Sequence, residues 1–108
     1  MYLGIGSIED INFHVRVYRY DSHNLYFLEL KTIIPKKELN TVCDKIQRIY
    51  PNLSKSVLNY GQESAEIVVW GIVSSESLKS ILRELNVDNS EAKLLLLNLS
   101  EPEAGKDV

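Results

Sequence analysis

A chain of 108 residues is the length of one ordinary domain, enough to bury roughly two thirds of its unfolded surface around a single core. Cys43 is its one cysteine, which excludes an intramolecular disulfide and a multi-cysteine zinc site and points to a reducing, cytoplasmic setting. The net charge of −3 is uneven, with seven basic and six acidic side chains in residues 1–50 and five and nine in residues 51–108, a balance that disfavours nonspecific nucleic-acid binding while leaving room for a local basic patch.

The opening "MYLGIGSIED" lacks the basic and long apolar regions of a signal peptide. The leucine run at 94–97 is far short of the about 20 apolar residues that cross a bilayer. "GIGS" at 4–7 has neither the third glycine nor the preceding strand of a dinucleotide loop, and reads as a flexible entry to the first strand. Residues 11–20 and 24–34 are β-branched and aromatic around the turn cluster "DSHN", the pattern of a β-hairpin. If Asp21 faces Asn24, then Tyr20 faces Leu25, Tyr18 faces Phe27, Arg16 faces Glu29 and His14 faces Lys31. On the other side Val17 then faces Leu28 and Val15 faces Leu30. Like lies beside like on both faces, and a slip of one residue would scramble it.

Pro35 fits a first helical position, and Leu39, Val42, Cys43, Ile46, Ile49 and Tyr50 recur as one apolar helical stripe that Pro51 ends. "LSKSVLNY" at 53–60 is a weaker strand and "AEIVVWGIV" at 65–73 a strong one. Ser74 and Ser75 can cap a second helix, with Glu76 at its positive end and Leu78, Ile81, Leu82 and Leu85 turned inward. "AKLLLLNL" at 92–99 is expected as a last strand, with a short helix capped by Asn89 or Ser90 as the alternative that periodicity cannot separate. Residues 100–108, "SEPEAGKDV", are expected to be a disordered acidic tail, leaving one domain at 1–99. Without its first strand the order is βαββαβ. The expected fold is therefore α+β: a ferredoxin-like two-layer sandwich, two helices on one sheet face, with an extra N-terminal strand forming a hairpin. That hairpin competes with the final strand for the free edge of the strand at 24–34.

A two-layer domain leaves one sheet face to water and should show alternation. Three segments break it. Val68, Trp70 and Ile72 oppose Ile67, Val69 and Val73; Leu94 and Leu96 oppose Leu95, Leu97 and Leu99; and Tyr18, Tyr20, Leu25 and Phe27 oppose the core set Val15, Val17, Leu28 and Leu30. Such a face exceeds the apolar surface that monomers ordinarily show. Its cover is expected to be a second copy of the chain, ahead of residues 1–10 folded across the sheet through Tyr2, Leu3, Ile5 and Ile8, with a partner protein or an apolar ligand as the remaining choice. Tyr18, Tyr20, Leu25, Phe27, Val68, Trp70 and Ile72 are the expected interface.

Aromatic residues on such a sheet also suit RNA, with Tyr18, Tyr20 and Phe27 stacking bases and Arg16, Arg19, Lys31, Lys36 and Lys37 as contacts. The glycine-containing aromatic signature of RNA-recognition domains is absent from "AEIVVWGIV", and Glu29 stands where a phosphate would approach. His14 shares a face with Arg16, Glu29 and Lys31; His23 is a turn residue. Neither has a second histidine or thiol placed to complete a metal site, and Cys43 on the helical stripe reads as a small hydrophobe whose burial raises its pKa. No cofactor motif is present. The segment "AEIVVWGIVSSESLKSILRELN", about a fifth of the chain, resembles the end of the small dimeric subunit of the KEOPS tRNA-modification complex. Lys79 and Arg83 replace an Arg and an Asn of that subunit's helix. The resemblance implies membership of a tRNA-modifying assembly. From the residues themselves the expectation is a non-catalytic module of homodimer or partner assembly, with RNA binding as the alternative.

Overall fold

A computed structural model describes residues 1–21, 24–59, 61–87 and 89–100. It is an α+β structure in which a five-stranded antiparallel sheet carries three helices. The strands are β1 (Tyr2–Ile8), β2 (Ile11–Arg19), β3 (Leu25–Pro35), β4 (Ser54–Asn59) and β5 (Ser64–Ser74), and the helices are α1 (Leu39–Ile49), α2 (Ser75–Leu85) and α3 (Ser90–Ser100). The sheet order is β1-β2-β3-β5-β4.

The hairpin adopts the register that its side chains dictate. Tyr18 pairs with Phe27, Arg16 with Glu29 and His14 with Lys31, while Val17 faces Leu28 and Val15 faces Leu30; the Tyr20 amide donates to the Leu25 carbonyl at 2.8 Å and closes the loop. Ser22 and His23 of the turn lie outside the described residues. β3 then pairs along its whole length with β5, bringing Glu29 beside Trp70 and Phe27 beside Ile72.

Two expectations are corrected. Residues 92–99 are helix, so the order is βββαββαα and not a hairpin added to βαββαβ. The edge of β3 goes to β2, and the leucines find a better arrangement as a helix: Ala92, Leu95, Leu96 and Leu99 share an i, i+3, i+4, i+7 stripe packed on the core, and Leu94 and Leu97 point out, each 60% exposed. The opposed leucine faces expected of a strand do not exist. Asn89 settles the choice by capping: its Oδ1 accepts from the Ala92 amide at 2.8 Å, and its carbonyl accepts from the Lys93 amide. An N-cap of this kind supplies about 1 kcal/mol. Asn89→Ala is accordingly expected to lower stability by about 1 kcal/mol and to speed amide exchange in α3 more than in α2, which exchange read by mass spectrometry would reveal. Ser100 belongs to α3; the rest of the expected tail, 101–108, lies outside the described residues.

The second correction concerns "GIGS" at 4–7, expected as a flexible entry to the first strand: it lies inside an additional edge strand, β1. Residues 1–10, the less favoured of the two covers, extend the sheet and cover neither of its faces. Gly4, at φ +99°, takes the irregular step between Tyr2 and the rest of the strand, a backbone that glycine adopts without strain. Gly6 is there for space. A Cβ on it would meet Leu85 Cβ at 2.7 Å, so the end of α2 lies directly on β1. Glu9 and Asp10, both at positive φ, then turn the chain tightly into β2.

All three helices contribute to one core over one sheet face. That inner face carries Phe13, Val15, Val17, Leu28, Leu30, Ile67, Val69 and Val73. Pro35 ends β3 and stands just before a 3-10 turn at 36–38, one step earlier than a first helical position. From α1 come Ile46 and the partly buried Leu39, Val42, Cys43 and Ile49; from α2 come Leu78, Leu82 and Leu85. Ser74 caps α2, its Oγ accepting from the Ser77 amide at 3.2 Å. Asn86 ends it in the left-handed conformation. Among the described residues no helix is long and apolar enough to cross a membrane.

Candidate functional site

The outer face of the sheet carries every residue expected at the interface. Because strand side chains alternate, β2 presents His14, Arg16 and Tyr18 outward, with Tyr20 just past its end, β3 presents Leu25, Phe27, Glu29, Lys31 and Ile33, and β5 presents Glu66, Val68, Trp70 and Ile72. Tyr18, Phe27 and Ile72 form one row across three strands. Leu25 lies beyond that row towards the turn, and Trp70 and Val68 continue it along β5. Tyr20 is 57% exposed and Ile72 49%, with Leu25, Phe27, Val68 and Trp70 half-buried. The helices pack on the opposite face.

The face is not uniformly apolar. A polar belt crosses β1, β2 and β3 beside the apolar island. Glu29 sits between two cations, its Oε1 at 3.7 Å from both Arg16 Nη1 and Lys31 Nζ. Tyr2 on β1 joins them: its hydroxyl hydrogen-bonds His14 Nδ1 at 2.9 Å, its ring lies 5.9 Å from the histidine ring, and the Arg16 guanidinium stands over it at 5.6 Å. Such contacts hold long side chains in place more than they stabilise the fold. Beside the belt lies an open depression of about 290 Å³ lined by His14, Arg16, Lys31, Ile33 and Glu66.

The place of Tyr2 and Ile5 on this face is not legible in the sequence. The irregular step at Gly4 puts the exposed Tyr2 and Ile5 three apart with buried Leu3 between them, so the period of two that marks a strand face is broken at the very residues that would show it.

Of the five expected nucleic-acid contacts, only Arg16 and Lys31 share the outer face, and both lean on Glu29. Arg19 ends β2 and reaches round the turn, its Nε donating to the Asp21 carbonyl at 3.4 Å. Lys36 and Lys37 stand past the opposite end of β3. The five do not form one patch. His23 is outside the described residues. Cys43 is half-buried on α1, its thiol pKa raised by burial and then by Asp44, so it is a poor nucleophile at neutral pH. Among the described residues no three His, Cys, Asp or Glu side chains gather as a metal would require. A search of known protein families, curated proteins and solved structures finds no match to the chain.

Proposed function

We propose that the protein is a non-catalytic assembly module, a small subunit or accessory factor whose outer sheet face docks another protein chain, in a homodimer or in a larger complex. The observation that carries this reading is the island of Tyr18, Tyr20, Leu25, Phe27, Trp70 and Ile72, aromatic and aliphatic side chains in one contiguous patch on the sheet face that the helices leave open. Aromatic anchors of this kind, bordered by polar groups, are what protein interfaces use at their centres. The belt of Arg16, Glu29 and Lys31 supplies the polar border. We read the run from β3 to α2, with strand order β3-β5-β4, as ferredoxin-like, β2 standing where a closing strand would lie.

Trp70 is the chain's one tryptophan, so its fluorescence reports directly on the face. Binding of a protein partner, or of a second copy at this face, is expected to shift Trp70 emission to shorter wavelength. Ile72→Lys should abolish that shift and the accompanying complex in size-exclusion chromatography, and Gln47→Lys, on the exposed side of α1, should preserve both. Equal binding by the two variants would overturn the reading. RNA is the rival occupant: single-stranded RNA binding that weakens steeply with salt and is lost in a Tyr18→Ala, Phe27→Ala variant would replace protein docking by base stacking.

A further inference from the structure

The two edges of the sheet differ. β1 is interrupted by the irregular step at Gly4, one of the devices that keep an edge strand from pairing with another chain. β4 is regular across its pairing with β5 from Ser54 to Asn59, and among the described residues β5 is its one neighbour in the sheet. Alternate residues of such a strand turn their N–H and C=O groups away from the partner they have. Those groups remain open to a further strand.

The usual guards are missing from β4. It has no acidic residue, no proline and one cation, Lys55. That cation is turned back on its own chain, Nζ donating to the Tyr50 carbonyl at 2.7 Å and the Leu53 carbonyl at 2.6 Å. It does not stand out along the edge to repel a second strand. In its place the strand shows Val57, 47% exposed, and Leu58, 51% exposed, one on each sheet face.

We propose that a second copy of this chain pairs with β4, antiparallel about a two-fold axis through Val57, to make a continuous ten-stranded sheet. Antiparallel partners that face each other must lie on the same side of the sheet. A two-fold through Val57 satisfies this: Val57 meets Val57 of the other copy, and Leu58 meets the small Ser56. Apolar meets apolar, large meets small, and no like charges are opposed. Pairing about a two-fold uses the β4 edge of both copies at once, so this contact closes at two copies; on β1 the irregular step at Gly4 shortens the regular run to Gly4–Ile8. A six-residue strand is about 20 Å long, which places this contact at the small end of interfaces and makes the dimer weak and concentration-dependent. The proposal rests on the assembly reading and refines it: edge pairing leaves both outer faces open, side by side, for a partner.

The test is sedimentation equilibrium on the full chain from about 10 to about 500 μM, a range suited to a small interface. The mass is expected to rise from monomer to dimer with concentration. Val57→Lys and Val57→Glu, each setting like charges against each other at the axis, should weaken self-association by up to about fivefold, and an equimolar mixture of the two should restore it. Circular dichroism identifies a variant that fails to fold; in that event amide exchange in wild-type β4 decides, and protection of its alternate amides is expected to rise with concentration. A monomer at every concentration, unchanged association in both folded variants, or β4 exchange independent of concentration would overturn the proposal. A dimer that survives Val57→Lys but not Ile72→Lys would overturn edge pairing while leaving the outer-face reading standing.

Discussion

Phe13→Ala is expected to destabilise the protein by about 3–5 kcal/mol, the range for emptying a buried aromatic site. Phe13 is fully buried on the inner face, and its cross-strand neighbour on β1 is Gly6. Gly6 has no side chain to move into the space, and Leu85 already lies close against it from α2. The strand backbone around the site is held by ladder hydrogen bonds on both sides of β2. Little can collapse, so the loss belongs near the top of the range. Against a total stability of about 5–15 kcal/mol, such a loss lowers the melting temperature by roughly 15–30 °C for a domain of this size. Phe27→Ala is the control, because Phe27 is on the same hairpin and faces the other way. It is half-buried, so its removal should cost about 1 kcal/mol in the isolated chain. Urea denaturation of the two variants measures the difference directly. Equal losses would mean that the outer face is as well covered as the inner one.

That contrast is legible in the sequence, because a hairpin with side chains on both faces has few registers to choose from. Pairing Tyr18 with Phe27 forces Arg16 onto Glu29 and Val17 onto Leu28, and each of these pairs is independently sensible. The cap at Ser74 and the inward stripe of α2 are legible for the same reason: several local preferences agree. The leucine run is not. Four consecutive leucines satisfy a period of two and a period of 3.6 equally, and the deciding groups are Asn89 at the cap and a β3 edge already taken by β2. β1 is concealed because Gly4 breaks its alternation, which hides a strand and makes residues 1–10 look like a loose cover.

The apolar surplus on the outer face is legible as composition and incomplete as geometry. Alternation alone places Arg16, Glu29 and Lys31 on one face. That Glu29 lies between both cations, with Tyr2 and His14 beside them, requires β1 to be in the sheet. This matters for what can dock. Sheet-to-sheet packing that covered the belt would take Arg16, Glu29 and Lys31 out of water, and removing ionised groups from water costs several kcal/mol unless each finds a partner. Docking that buries the island and leaves the belt at the rim avoids this cost. A second copy joined at β4 is compatible with it, since the edge lies away from the belt.

Tyr50 gives the second large expected effect, a loss of stability at alkaline pH. It stands just past the end of α1 and is almost fully buried, and among the described residues its hydroxyl has no hydrogen-bond partner. Burial pushes the phenol up from its ordinary 10.0 to about 12, and the carboxylate of Glu84 on α2 pushes in the same direction. The folded protein therefore holds this proton more tightly than the unfolded chain does. The resulting stability is fully present below pH 10 and is lost as pH rises through about 10 to about 12, where the unfolded chain ionises first. Two pH units correspond to roughly 2–3 kcal/mol. Tyr50→Phe removes this dependence and also removes an unsatisfied buried hydroxyl, so at pH 7 the variant should equal or exceed wild type by about 1 kcal/mol. Its advantage should then widen as the solution is taken to pH 12. Urea unfolding of both proteins at pH 8 and above pH 11 measures the widening, and parallel loss in the two would show that the Tyr50 proton is not held by the fold.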